Sequence, residues 1–152
     1  MKIRNIMTTD VTSITPDTTY AEAAKLMHEH TIASIPVTDK TGTLVGILSE
    51  KDLFIELYPK YDEFYENTHL ARRQEEMEDK VNDLRVKPIS NYMTKKVLTI
   101  GSDDPIMKAG GIMLARHIHR LPVVDERKFI GIVSREDVFS AVLKFHLGFE
   151  DV

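Results

Sequence analysis

Short apolar runs bounded by charged turns alternate in this chain with stretches whose apolar residues recur at helical spacing. Residues 121–124 and 129–133 are two such runs, separated by the charged turn Asp125-Glu126-Arg127-Lys128, and Ser134-x-x-Asp137 follows directly. Two runs joined by a short turn predict a β-hairpin, and the Ser-x-x-Asp sequence predicts a helix start. A near copy lies upstream, where Ile35-Pro36-Val37-Thr38-Asp39 leads through a turn to Gly46-Ile47-Leu48 and then to Ser49-x-x-Asp52.

The copies keep one register. Met7-Thr8 matches Met93-Thr94, Ile14 matches Ile100, Ala23 matches Ala109, Met27 matches Met113 and Pro36-Val37 matches Pro122-Val123. After the hairpin the offset shortens by one, so that Gly46, Ser49 and Asp52 match Gly131, Ser134 and Asp137. The deletion falls in the turn, where a change of length is best tolerated. Each copy reads as strand, helix, strand, strand, helix. The opening strands are expected at 11–14 and 97–100. The first helix of copy one is expected to be capped by Thr18 or Thr19 and to carry Ala23, Ala24, Leu26 and Met27; that of copy two is expected at 104–117 with Ile106, Met107, Ile112 and Met113. The closing helices use Leu53, Phe54 and Leu57, and Val138, Phe139, Val142, Leu143 and Leu147. Gly110-Gly111 weakens the helical pattern around it. The expected class is therefore α/β (α+β), as two pseudo-symmetric β-α-β-β-α repeats at 1–58 and 92–152.

The intervening segment, 59–91, has no counterpart in the repeat. Within it, 61–84 contains no Pro or Gly and places Leu70, Met77, Val81 and Leu84 near one helical face among charged residues, which predicts an amphipathic helix. At 152 residues and 42% hydrophobic content, the repeats are expected to share one module. A net charge of −4 disfavours a nucleic-acid partner. There is no cysteine, no signal-like N-terminus and no apolar run of membrane-spanning length. The default location is the cytoplasm.

Two copies of Met-Thr, apolar-Pro-Val-x-Asp and Gly-apolar-apolar-Ser-x-x-Asp resemble a tandem pair of cystathionine β-synthase (CBS) domains, or Bateman module. The resemblance covers about 6–58 and 92–147. It implies a pseudo-twofold module that dimerises through its helices, binds an adenosine-containing ligand between its repeats, and regulates a protein by changing geometry. With no effector domain in the chain, it implies a stand-alone regulator whose target is unidentified, requires no cofactor and catalyses nothing. The implied regulatory ligand is AMP, ADP, ATP or S-adenosylmethionine. A ligand-independent dimerisation or interaction module is the alternative.

In that frame Asp52 and Asp137 are the expected ribose ligands, because a carboxylate accepts hydrogen bonds from two hydroxyls. Ser49 and Ser134 open helices whose free N–H groups suit phosphate, although the same box serves as a plain helix cap. The cluster His117-Ile118-His119-Arg120 breaks the repeat symmetry, since Thr31, Ala33 and Ser34 stand where His117, His119 and Arg120 do. Arginine offers a planar fork to phosphate oxygens and histidine a second donor. Such a segment is similar to the phosphate-binding stretch of γ subunits of AMP-activated kinase, which implies that Arg120 serves the Asp137 site, the Asp52 site, or both. The resemblance places adenine near Ser13, Ile14, Ser34, Pro36 and Val37 in one copy and near Thr99, Ile100, Pro122 and Val123 in the other. His-x-His lacks an evident third ligand, so no metal site is expected.

Overall fold

A computed structural model describes residues 1–58 and 70–149, with the side chains of 70–75 excepted. The described chain forms two compact units, and neither is a single sequence repeat. An N unit comprises Ser13–Asp39 and Val45–Lys95; a C unit comprises Met1–Thr12, Lys40–Leu44 and Lys96–Val152.

In the N unit, helix α1 (Tyr20–His30) is followed by strands β1 (Ser34–Thr38) and β2 (Leu44–Ser49) and by helix α2 (Glu50–Glu56). Thr19 caps α1: its hydroxyl accepts from Glu22 N at 3.3 Å, and Glu22 returns a carboxylate oxygen to Thr19 N at 2.9 Å. The next two amides donate to the carbonyls of Lys87 and Arg85 at 2.8 and 3.1 Å. Those carbonyls directly follow helix α3 (Leu70–Leu84), so the end of the insertion seals the start of α1. Leu84 and Ile89 accordingly enter a core with Ile14, Met27, Ile35, Val37, Leu48 and Leu53. Tyr20 joins them, donating its hydroxyl to Leu53 O at 2.7 Å and meeting Tyr92 edge to face at 5.9 Å. The expected helix over 61–84 is present from Leu70; 61–69 lies outside the described residues. Met77 is half-buried and Val81 exposed, and among the described side chains of the helix it is Leu84 that is buried in the core.

The C unit repeats the plan with helix α4 (Ile106–Arg116), strands β3 (Arg120–Asp125) and β4 (Lys128–Ser134), and helix α5 (Arg135–His146). β3 and β4 are antiparallel, with Arg120 opposite Ser134 and Pro122 opposite Ile132. Ile3 is fully buried in this core beside Ile100, Met113, Leu121, Val123 and Val133. The N-terminal segment thus belongs to the hairpin of the second repeat. Thr8 and Ile132 exchange backbone hydrogen bonds at 2.8 and 2.9 Å. The N unit contains the mirror arrangement, Thr94 with Ile47, at 3.0 and 2.9 Å.

The opening strand of each repeat shrinks to one parallel bridge, Ile14 with Val37 and Ile100 with Val123. Ile14 N donates to Pro36 O and Thr38 N to Ile14 O at 3.0 and 2.9 Å; Ile100 makes the equivalent pair with Pro122 and Val124 at 3.1 and 2.9 Å. Extending either ladder toward the N-terminus would need the amide of Pro36 or Pro122, which proline lacks. On the other side Pro16 lacks the next donor, and Ser102 N turns to Asp125 Oδ1 at 3.0 Å. Helix α4 begins at Ile106, two residues later than the spacing suggests. Asp104 is held outside it, accepting from Gly101 N at 3.0 Å and from Lys108 Nζ at 2.9 Å. Phe54, Met107 and Phe139, expected on apolar helix faces, are exposed.

Candidate functional site

The expected residues divide between the units, Ser13, Ile14, Ser34, Pro36, Val37, Ser49 and Asp52 in the N unit and Thr99, Ile100, His119, Arg120, Pro122, Val123, Ser134 and Asp137 in the C unit. In the C unit, β3 lies between β4 and the bridge residue Ile100, so Pro122 and Val123 are fixed from both edges. The side chains of Ile100, Pro122 and Val123 are buried, as are those of Ile14, Pro36 and Val37 in the N unit. Their neighbours Ser13 and Thr99 are exposed, and Ser34 is half-buried.

β4 runs straight into α5 at Ser134, which places the half-buried Asp137 on the first turn of that helix. Asp137 N donates to Ser134 Oγ at 3.1 Å, and Asp137 Oδ2 accepts from Ser134 N at 2.7 Å and from Ser134 Oγ at 2.6 Å. β2 enters α2 in the same way. Asp52 N donates to Ser49 Oγ at 3.1 Å and Ser49 N donates to Asp52 Oδ2 at 2.8 Å. The capping boxes are therefore real in both units. They engage only Oδ2: among the described residues, Oδ1 of Asp52 and of Asp137 accepts no hydrogen bond. Each carboxylate is held in place through Oδ2.

Arg120 stands directly across the ladder from Ser134, and paired residues in an antiparallel ladder share a face. Arg120 is exposed, as is His119. His119 O accepts from Arg135 N at 2.8 Å, and Arg135 Nη2 donates to Ile118 O at 3.2 Å, so Arg135 braces the basic segment. His117 terminates α4 in the left-handed conformation, with φ of 54°, as Thr31 does for α1 with φ of 53°. That turn brings the chain from helix to strand.

The acid of the Pro-Val-x-Asp motif has a role that sequence reasoning missed. Asp125 accepts from both the amide and the hydroxyl of the buried Ser102 and so fixes the loop that leaves Ile100. Its signal was its place in the repeated motif. Among the described residues, no group of three His, Cys, Asp or Glu is arranged to hold a metal ion, and no helix is long and apolar enough to cross a membrane.

The CBS domain model matches residues 3–58 and 89–144. A CBS domain-containing protein of Dictyostelium discoideum is 28% identical over 143 residues, covering 93% of this chain and 91% of its own length. The structure of CBSX2 in complex with AMP superposes with a TM-score of 0.73 at 26% identity, covering 95% of this chain and 98% of that one. The CBS domain pair of protein MJ0100, in complex with 5′-methylthioadenosine and S-adenosyl-L-methionine, gives 0.62 at 26% identity over 92% and 94%. Homoserine O-acetyltransferase of Methanococcoides burtonii is 31% identical but matches over 23% of its length, so that likeness does not extend to the whole enzyme. The repeat, the twin capped carboxylates and these likenesses agree: the chain belongs to the CBS domain family and carries two CBS domains in tandem.

Proposed function

We propose that this protein is a regulatory CBS pair that binds an adenosine-containing ligand and transmits occupancy to a partner or to a second copy of itself. The observation that carries the reading is the pair of Ser-x-x-Asp caps, each holding a carboxylate by Oδ2 with Oδ1 unengaged among the described residues. A capping acid alone needs one oxygen; a second, directed oxygen suits ribose hydroxyls, which donate to it. Arg120, across from Ser134, would contact phosphate, with His119 beside it. Ser34 holds the matching position in the N unit, so the two units offer unequal sites. The adenine edge would be read by backbone groups near Ser13 and Ile14 and near Thr99 and Ile100. Related CBS pairs whose structures contain AMP, 5′-methylthioadenosine or S-adenosyl-L-methionine support this ligand class. The regulatory effect requires that the ligand favour one arrangement of the contacts it controls.

The test is calorimetric titration of Asp52→Asn and Asp137→Asn with adenosine and ATP. Asparagine retains an oxygen to accept the serine amide, so the cap survives while the charge is lost. The reading expects at least a tenfold loss of affinity in one or both variants, and an Arg120→Ala variant weakened for ATP more than for adenosine. Unchanged binding in the double Asn variant would refute the ribose role. Equal losses for both ligands in Arg120→Ala would refute the phosphate role.

A further inference from the structure

Among the described side chains of α3, Leu84 is buried, Met77 is half-buried and the rest are exposed. An isolated helix of 15 residues is marginal in water, so the docking of its C-terminal end weighs on whether α3 forms.

That end is seated on the stretch of chain that leaves Ile14. Arg85 N donates to Val81 O at 3.1 Å and Lys87 N to Leu84 O at 2.9 Å, which hangs residues 85–87 on the last turn of α3. The carbonyls of Arg85 and Lys87 are the ones that accept from Ala21 N and Tyr20 N at the start of α1. Further along, Pro88 bridges Thr19, Ile89 N donates to Thr18 O at 2.8 Å and Ser90 N donates to Pro16 O at 3.1 Å. Residues 16–21 are thus bound along their length by residues 85–90. Ile14 shares one buried core with Leu84 and Ile89. One short stretch of backbone therefore carries the expected adenine edge, Ser13 and Ile14, at one end and the seat of α3 at the other.

We infer that formation of α3 and ligand binding in the N unit are coupled. A ligand at Ser13 and Ile14 orders residues 15–21, which steadies residues 85–90 and the last turn of α3; a formed α3 favours the same arrangement in return. This rests on the ligand reading proposed above, and it names the element through which occupancy of the N unit is read by a partner. Such coupling is reciprocal: the factor by which the ligand favours the helix is the factor by which the helix favours the ligand. It needs an element with two states, and a marginal helix docked by one end supplies one.

Asn82 is exposed on α3, so Asn82→Ala and Asn82→Gly strengthen and weaken the helix without touching the core. Lys144→Gly, at an exposed position of α5, is the control for weakening a helix elsewhere. Amide exchange of Tyr20 and Ala21 is followed by NMR without ligand. It is expected to be about threefold faster in Asn82→Gly than in Asn82→Ala, below a ceiling of about fivefold set by the Ala–Gly difference in helix propensity. Lys144→Gly is expected to leave both amides unchanged. In an Asp137→Asn background, so that the N unit dominates, calorimetric titration should show adenosine bound more tightly by Asn82→Ala than by Asn82→Gly by a similar factor. Adenosine should also slow exchange across residues 76–84. Equal exchange at Tyr20 and Ala21 in the two Asn82 variants, or the same acceleration in Lys144→Gly, would overturn the inference. So would adenosine binding of equal strength in both variants, which leaves the sensor reading standing. Absence of adenosine binding in the parent chain and in every variant would refute the sensor reading and the ligand half of the inference together; the ligand-free exchange reports separately on the seat of α3.

Discussion

Gly131 lies beneath the carbonyl of Thr8: a Cβ on residue 131 would stand 2.6 Å from Thr8 O. The two segments meet because Thr8 and Ile132 exchange backbone hydrogen bonds, which leaves no room for a side chain between them. Gly131→Ala is therefore expected to cost about 1–3 kcal/mol, since only backbone can yield. At its twin Gly46 an added Cβ would meet chiefly Met93 Sδ, at 2.7 Å, with Thr94 O at 3.1 Å. A thioether swings aside more readily than a carbonyl, so Gly46→Ala should cost less. Urea denaturation of the two variants checks the order, and an equal or reversed loss would contradict it.

The β3–β4 turn is strained at two positions. Asp125 pairs with Lys128, and the intervening Glu126 and Arg127 have φ of 48° and 69°. A two-residue hairpin turn with both φ positive favours Asn-Gly, and neither glutamate nor arginine suits it. The double variant Glu126→Asn, Arg127→Gly should raise stability by roughly 1–2 kcal/mol. The urea midpoint should rise at an unchanged slope.

Tyr20 links α1 to α2 through its bond to Leu53 O, and burial, followed by the nearby Glu56 carboxylate, raises its pKa above 10.0. A raised pKa means that the folded state holds the phenol proton more tightly than the unfolded chain does. The resulting stability is complete below pH 10 and is lost as pH rises through the folded value. Tyr20→Phe should lose about 1 kcal/mol at neutral pH through the missing hydrogen bond. It should also show a shallower loss of stability above pH 10 than the parent. Denaturation midpoints at pH 7 to 11 measure both effects.

Local chemistry was the legible part of the chain. The caps at Ser49 and Ser134, the cap at Thr19 and the two hairpins follow from residues within a few positions of one another. The reduction of each opening strand to one bridge depends on which way the Pro36 and Pro122 nitrogens face, and that is known only once Ile14 and Ile100 are seated beside them. The assignment of Ile3 and Thr8 to the hairpin of the other repeat is a long-range pairing with no local pattern to announce it. Periodicity placed Phe54 and Phe139 on apolar faces, yet Leu53 and Val138 already fill the inward positions and leave the aromatics outside. For the ligand residues, the repeat identified both carboxylates; the division of labour between Oδ2 and Oδ1 required the cap geometry.

The most direct measurement of the central claim is the melting temperature of purified protein, freed of bound nucleotide, with adenosine, AMP, ADP, ATP, S-adenosylmethionine and, as a control, GTP. At about 100 times its dissociation constant a ligand stabilises the folded state by roughly 2.7 kcal/mol, which corresponds to an increase of roughly 5–10 °C for a chain of this size. The account predicts such an increase with at least one adenosine compound and none with GTP. No increase with any adenosine compound at millimolar concentration, or an equal increase with GTP, would contradict it.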